Sequence, residues 1–285
     1  MPTQAELVNR YYKTSRIDYH ALWSKKENLF SIHFGYYEDN DTCHHKALLK
    51  LNEILSSRVE IKKNDIVLDA GCGYGSSSIW LAKNIGCKVE GITIVPFQAK
   101  QANNFARKER LDHLANFHVQ DYTKINFKDE TFDVFWALES LVHAESRSAV
   151  IKEAYRVLKP GGRLIIAEYL LRDDNQYSSS EQGLIQKWLY GWQMPSLETP
   201  GQYSQLLIQA GFSNIEFEDI TKNIKPSIDR LEHYVRKGFR VAKLLSRIKI
   251  FSTDHLGNIE GSFAQIETLK KRLWQYQIIT AIKNR

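Results

Sequence analysis

The sequence predicts a doubly wound α/β fold: seven strands in a mostly parallel sheet, helices on both faces, an N-terminal helical lid and an inserted cap. Three observations carry that expectation. Short apolar strand patterns alternate with helical ones from residue 61 to 171, which is how βαβ units with right-handed crossovers read in sequence. The first of those strands runs into a turn with three glycines that opens the next helix. After residue 171 the alternation breaks, and an aromatic-rich stretch intervenes before two further strand patterns.

Taken in order, residues 1–60 hold no clear strand and many aromatics, among them Tyr11, Tyr12, Trp23, Phe34, Tyr36 and Tyr37. HHKALLKLNEILSSRV (44–59) repeats its apolar positions at helical period. DIVLDA (65–70) is a short apolar strand, and SSSIWLAKNIG behind it is a helix with a glycine stop. KVEGIT (88–93) is a second strand. PFQAKQANNFARKERL (96–111) follows as a helix that opens on proline, a good first helical residue. NFHVQD (116–121) and TFDVFWAL (131–138) are the third and fourth strands. SAVIKEAYRVLKPGG (148–162) reads as a helix ended by Pro-Gly-Gly, and RLIIAEYL (163–170) as the fifth strand. Residues 172–200 form the cap insertion, with Trp188, Tyr190 and Trp192. The remainder, 201–285, holds a helix at 202–211, a strand at 212–220, a long helical stretch at 226–248 and a last strand at 273–282. The last strand is expected antiparallel, in a hairpin-like connection with the strand at 212–220.

A length of 285 residues suits one large domain, or a domain plus a cap. With 43% hydrophobic and 25% charged residues the chain can bury a core of useful size. No apolar run approaches the roughly 20 residues that cross a bilayer, and the start has no secretory apolar stretch. Three cysteines (Cys43, Cys72 and Cys87) without paired metal spacing fit free thiols in a reducing compartment, so a cytoplasmic location is expected. The net charge of +6 admits an anionic partner, but the plainer reading is a lysine-rich solubilising surface. RKGFRVAKLLSRIK (236–249) is a basic amphipathic segment, suited to packing on its own domain or to touching a membrane surface.

In an open parallel sheet, ligands bind beyond the carboxyl ends of the strands at the switch point. The glycine turn stands at such an end. Its spacing, with Asp69 before Gly71, Gly73 and Gly75, departs from the G-x-G-x-x-G dinucleotide pattern. The second strand ends in Thr93, where nicotinamide enzymes favour an acid for the ribose. No lysine follows the loop as a P-loop requires.

LDAGCGYGSSSIWLA (68–82) closely resembles the first motif of class I S-adenosylmethionine-dependent methyltransferases, enzymes with a Rossmann-like sheet. GITIVPFQAKQAN (91–103) is similar to the second-strand motif of their tocopherol, sterol and small-natural-product subgroup, and LKPGGRLIIAE (158–168) to the segment leading into the fifth strand. The resemblance covers residues 15–170 well and implies S-adenosylmethionine as cofactor of the 61–171 core. It implies that the backbone of Gly71, Cys72 and Gly73 approaches the methionine portion and that Asp69 accepts hydrogen bonds from its ammonium. Thr93 and Ile94 stand where most members place the ribose acid, so Gln98 becomes the ribose partner. Asp121 is expected to accept the adenine amino group, with Tyr122 beside it, and Leu138 and Glu139 to flank the cofactor. Asp121 as a simple turn carboxylate is the plain alternative. Tyr36, in SIHFGYY (31–37), is expected to cover the methionine end as part of the lid.

For the reaction itself the candidates are Glu139 and His143, four residues apart, which share one face if the segment is helical. Either would accept a proton or stabilise a cationic intermediate. The alternative leaves Glu139 to balance local charge and His143 to make structural hydrogen bonds. Trp23, Trp188 and Trp192 are expected to wall the acceptor, against the alternative of ordinary core packing. Cys43, His44 and His45 lack a second ligand pair, and no metal site is expected. The expected activity is methyl transfer to a small, largely apolar metabolite at carbon, nitrogen or oxygen, in natural product biosynthesis. The alternatives are a small polar amine as acceptor, or a non-methylating reaction such as a cyclisation. The expected partner is the small-molecule substrate, with a homo-oligomer left open. Nucleic acid and stable membrane insertion are not expected.

Overall fold

A computed structural model describes residues 2–18, 31–38, 43–173, 176–247 and 253–284. The chain begins with helices α1 (Gln4–Asp18) and α2 (His44–Arg58). It then alternates β1 (Ile66–Ala70), α3 (Ser76–Asn84), β2 (Lys88–Thr93), α4 (Pro96–Lys108), β3 (Ala115–Val119), β4 (Phe132–Leu138), α5 (Arg147–Val157) and β5 (Leu158–Leu171). After β5 come α6 (Ser179–Gly191), α7 (Pro200–Ala210), β6 (Phe212–Asp219), α8 (Thr221–Arg247), α9 (Thr253–Lys270) and β7 (Trp274–Lys283).

The seven strands form one sheet in the order β3-β2-β1-β4-β5-β7-β6. The first five are parallel, and β7 runs antiparallel between β5 and β6. β1 is central, with Asp69 in register with Gly91 on β2 and Trp136 on β4. Helices cover both faces, so β1 is apolar almost throughout instead of alternating. On one face Trp136 packs with Leu51 and Leu55 of α2 and with Trp188 of α6. On the other, Phe135 packs with Val150 and Ile151 of α5 and with Leu207 of α7.

Two expectations are corrected here. β6 and β7 are antiparallel neighbours, but α8 and α9 lie between them in the chain, so the connection is no hairpin. α9 itself is a helix that the sequence reading left out. Its Gly257 and Gly261 look like breakers, yet they serve a close helix contact. A Cβ on Gly191 of α6 would lie 2.3 Å from the Gly257 carbonyl oxygen and 2.7 Å from Gly261 Cα. Only glycines let the two helices approach so closely. A smaller difference concerns Pro-Gly-Gly: α5 ends at Val157, and 158–162 begin β5 through a register shift against β4.

The lid segment 31–38 is strapped across the carboxyl ends of the strands by its backbone. The Phe34 N–H donates to Glu139 Oε1 (2.8 Å) and the Gly35 N–H to Ser227 Oγ (2.9 Å). The N–H groups of Tyr36 and Tyr37 donate to the carbonyls of Ala47 and Asn223. α1 closes over the same end: Asn9 Nδ2 donates to the Ile94 carbonyl, Tyr11 OH to Asn258 Oδ1 and Gln4 Nε2 to the Gln193 carbonyl.

Candidate active site

A cavity of about 520 Å³ lies where β1 and β4 diverge, within the roughly 300–1,000 Å³ usual for small-molecule sites. The glycine turn, the ends of β2 and β4, the strap, α1, α8 and α9 enclose it.

The turn after β1 is fixed to β2 by the N–H groups of Gly71 and Cys72, both donating to the Ile92 carbonyl. Gly71 and Gly73 have φ of +88° and +53°, the left-handed region that glycine enters without strain. Asp69 lines the cavity and is 2% exposed. Its Oδ2 accepts from Ser78 Oγ (2.5 Å), and no cationic side chain pairs with it among the described residues. Burial therefore pushes its carboxyl up to about 7. Across the cavity the Thr93 hydroxyl donates to Gln98 Oε1 (3.2 Å) and accepts from the Val95 N–H. This leaves Gln98 Nε2 buried with no hydrogen-bond partner among the described residues. A buried carboxylate without a cation and a buried amide donor without an acceptor are both costly. An ammonium and a ribose hydroxyl would satisfy them, so the residues present fit S-adenosylmethionine.

Glu139 follows β4 with φ +48°. Its Oε1 accepts from the Phe34 N–H and from Tyr276 OH (2.7 Å), its Oε2 from Tyr169 OH (3.2 Å). Its remaining exposure is to the cavity. Burial outweighs these bonds and pushes its pKa up to about 7. Residues Leu141–His143 form a single 3-10 turn, not a helix, so Glu139 and His143 do not share a helical face. Both line the cavity. His143 Nδ1 faces the Gln193 carbonyl (3.4 Å) and its Nε2 faces Tyr12 OH (3.1 Å). A carbonyl only accepts, so Nδ1 carries the proton and neutral Nε2 accepts from Tyr12. Burial holds the imidazole's pKa down at about 4. Beneath the turn, Glu168 Oε2 accepts from the Val142 N–H and Arg147 donates to the Val142 carbonyl. Both backbone groups beside His143 are thereby fixed.

Asp69, Gly71, Cys72, Gly73, Thr93, Ile94, Gln98, Tyr122 and Leu138 all lie on the cavity wall, as do Glu139, His143 and Trp192. Three expected residues do not. Asp121 is exposed and holds a turn, its Oδ1 accepting from the N–H and hydroxyl of Thr123. Tyr36 packs outward against the α2-side core, and Ile32, His33 and Phe34 take its place at the cavity. Trp188 is fully buried against Tyr169 and Trp274, a core residue. Trp23 lies outside the described residues. Tyr12 belongs to the N-terminal aromatics noted in the sequence but has no role of its own there, and Tyr169, Tyr234 and Lys237 on the wall have none either. Only Tyr12 had a signal: Val8, Tyr11, Tyr12 and Ser15 recur at helical spacing on α1.

The Glu139 carboxyl gives a pH test. Its folded pKa of about 7 stands above the ordinary 4.5, so the folded form keeps a proton that the unfolded chain has lost. Stability from this group is present below pH 4.5 and is lost as pH rises through 7, by about 3 kcal/mol. His33 and His143, both held down at about 4, act in the opposite sense below 6.5. The effect is therefore read as a difference. Glu139→Gln should gain on the wild type by about 2–3 kcal/mol between pH 5 and pH 8 in urea unfolding; a constant gap would refute the burial argument.

Residues 68–166 match the family model for a methyltransferase domain. Tocopherol O-methyltransferase, chloroplastic, of Arabidopsis thaliana is 30% identical, over 88% of this chain and 76% of its own length. 27-O-demethylrifamycin SV methyltransferase of Amycolatopsis mediterranei is 32% identical, over 82% and 87%. Among solved structures the cyclase SpnF shares the fold at a TM-score of 0.77 and 24% identity, covering 99% of this chain and 97% of that one.

Proposed function

This chain belongs to the class I S-adenosylmethionine-dependent methyltransferases, and from that premise we propose that it methylates a small, largely apolar metabolite at a group that must give up a proton, such as a hydroxyl. The observation that carries the proposal is the pair Tyr12 and His143: a neutral imidazole, its basic nitrogen turned to a phenol, on the wall of a largely apolar cavity. S-adenosylmethionine, when bound, supplies an electrophilic methyl group on sulfur. What the protein adds is alignment of the acceptor and a place for its proton. Asp69 and Gln98 hold one side of the cavity, and Tyr12, Trp192 and Tyr234 shape the other. His143 Nε2 takes the acceptor's proton, directly or through the Tyr12 hydroxyl. α1 and the strap exclude water.

A polar amine as acceptor is disfavoured by the carboxylates. Asp69 sits on the glycine-turn side, and both oxygens of Glu139 are already engaged by three donors. Among the described residues no helix is long and apolar enough to cross a membrane. Cys72 and Cys87 are in no disulfide among the described residues, in keeping with a reducing setting.

The test incubates the pure protein with methyl-labelled S-adenosylmethionine and a metabolite extract, with uptake of S-adenosylhomocysteine measured separately by calorimetry. The expected product is a labelled, apolar methyl ether or methylamine. Uptake of the cofactor with no methyl consumed would move the chain to the non-methylating alternative, and no uptake would overturn the site assignment.

A further inference from the structure

The acceptor side of the cavity carries a charge that methyl transfer does not explain. α8 presents Leu231, Tyr234 and Val235 to the cavity, at the spacing of one helical face. Arg230, Tyr234 and Lys237 follow the same stripe at i, i+4 and i+7. Lys237 lines the cavity at its solvent-exposed edge and is the one lysine or arginine among the described wall residues. Neighbouring cations of α8 are neutralised: Lys225 pairs with Asp229 (2.6 Å) and Arg236 with Glu232 (2.6 Å). Lys237 has no hydrogen bond or ion pair to a described residue. Arg230 has no carboxylate partner among them either; its guanidinium lies 4.9 Å over the Tyr234 ring, and its Nε is buried without a hydrogen bond. Arg230 thus stacks on an aromatic ring of the cavity wall, and Lys237 lines the same wall about one helical turn further on. Of the two wall carboxylates, Asp69 is buried against Ser78 and Glu139 is engaged by three donors, and neither pairs with Lys237.

We propose that the acceptor is amphipathic: its anionic group, a carboxylate or a phosphate ester, pairs with Lys237 in the field of Arg230, while its apolar body lies along Tyr234 and its reacting group reaches His143. The word acceptor rests on the methyltransfer reading above; the anion site does not. A lysine suits this role as a point charge at the edge of a cavity, where a flexible stem lets it follow ligands of different length. The pairing fixes which end of an elongated molecule enters first, so it acts on orientation as well as affinity.

The test uses the full chain saturated with S-adenosylhomocysteine and three probes with one twelve-carbon tail: laurate, dodecyl phosphate and dodecanol. Binding is followed by calorimetry and by tryptophan fluorescence, which Trp192 on the wall should report. Laurate or dodecyl phosphate should bind about fivefold tighter than dodecanol, the upper range for an exposed ion pair, and the gap should shrink in high salt. Lys237→Met, which keeps the apolar stem, should erase the preference, and Lys237→Arg should keep it. Equal binding of the anions and dodecanol, no binding of either anion, or an unchanged preference in Lys237→Met would overturn the proposal. Failure of the methyltransfer reading looks different: the anion preference would persist while S-adenosylhomocysteine was not taken up.

Discussion

Gly71→Ala is expected to lower the affinity for S-adenosylhomocysteine at least about 100-fold and to cost the free protein several degrees of thermal stability. Two penalties combine. An L-residue at φ +88° meets its own carbonyl, roughly 1–2 kcal/mol. The added Cβ would then lie 2.3 Å from Ser140 Cβ and 2.8 Å from Ser140 Oγ. Ser140 cannot swing aside cheaply, because its hydroxyl is donated to the Ala70 carbonyl (2.6 Å), the last residue of β1. The turn must therefore move, and it takes with it the Gly71–Gly73 backbone that lines the cavity. Gly73→Ala separates the two penalties. At φ +53° it is also strained, but the nearest protein atom to its Cβ is Ile32 Cδ1 at 3.9 Å, across the cavity edge. That variant should melt within a few degrees of the wild type. A large loss of S-adenosylhomocysteine uptake in it would then report the ligand's own approach to the backbone. Calorimetry and thermal unfolding of both variants decide the matter. Wild-type uptake by Gly71→Ala would remove the turn from the site.

The same turn shows why so much was legible in the sequence. Strand, glycines and helix start are local features, Asp69 lies within that strand, and Gln98 follows the end of β2 by five residues. Their neighbourhood is dictated by chain geometry: β1 and β2 are parallel neighbours, and the residues after each must meet at the carboxyl edge. Asp121 and Tyr36 lie off the cavity wall for a complementary reason. Each is near in sequence to a residue or segment on the wall, and the local turn of the backbone decides which side chain points inward. Trp188 and Trp192 make the point on α6 and its end. They are four apart, and Trp188 is sealed against Trp274 while Trp192 reaches the cavity. The acceptor wall was the least legible part. Tyr12, Tyr169, Tyr234 and Lys237 come from elements far apart in the chain, and only tertiary packing, including the glycine contact of α6 with α9, brings them round one space. α9 illustrates the conflict directly. Its apolar residues Ile259, Phe263 and Ile266 fit a helical stripe, while two glycines argue against a helix until the partner helix is known.

His143→Ala is expected to reduce kcat by about 10²–10⁴, the usual contribution of a positioned general base, while S-adenosylhomocysteine affinity stays within a few fold. The argument is geometric before it is electrostatic. Gln193, itself held at φ +53°, turns its carbonyl to His143 Nδ1 and fixes the tautomer, and the same carbonyl accepts from Gln4 Nε2 of α1 (2.7 Å). Lid closure by α1 and the orientation of the base are thus parts of one arrangement, with Tyr12 as its other contact. Tyr12→Phe should therefore lower kcat as well, and it keeps the ring packing of Tyr12 against Tyr11 and His143. The pH profile adds a test of sign. With its pKa held down at about 4, His143 is already unprotonated throughout pH 5–8. Its removal should lower the whole kcat profile in that range by a constant factor, with no limb lost near 6.5. Added imidazole should restore part of the rate in His143→Ala, because the deleted ring leaves room on the cavity wall. His143→Ala and Tyr12→Phe proteins that bind S-adenosylhomocysteine and turn over at the wild-type rate would leave the pair a structural role only, and the proton would have to depart by another route.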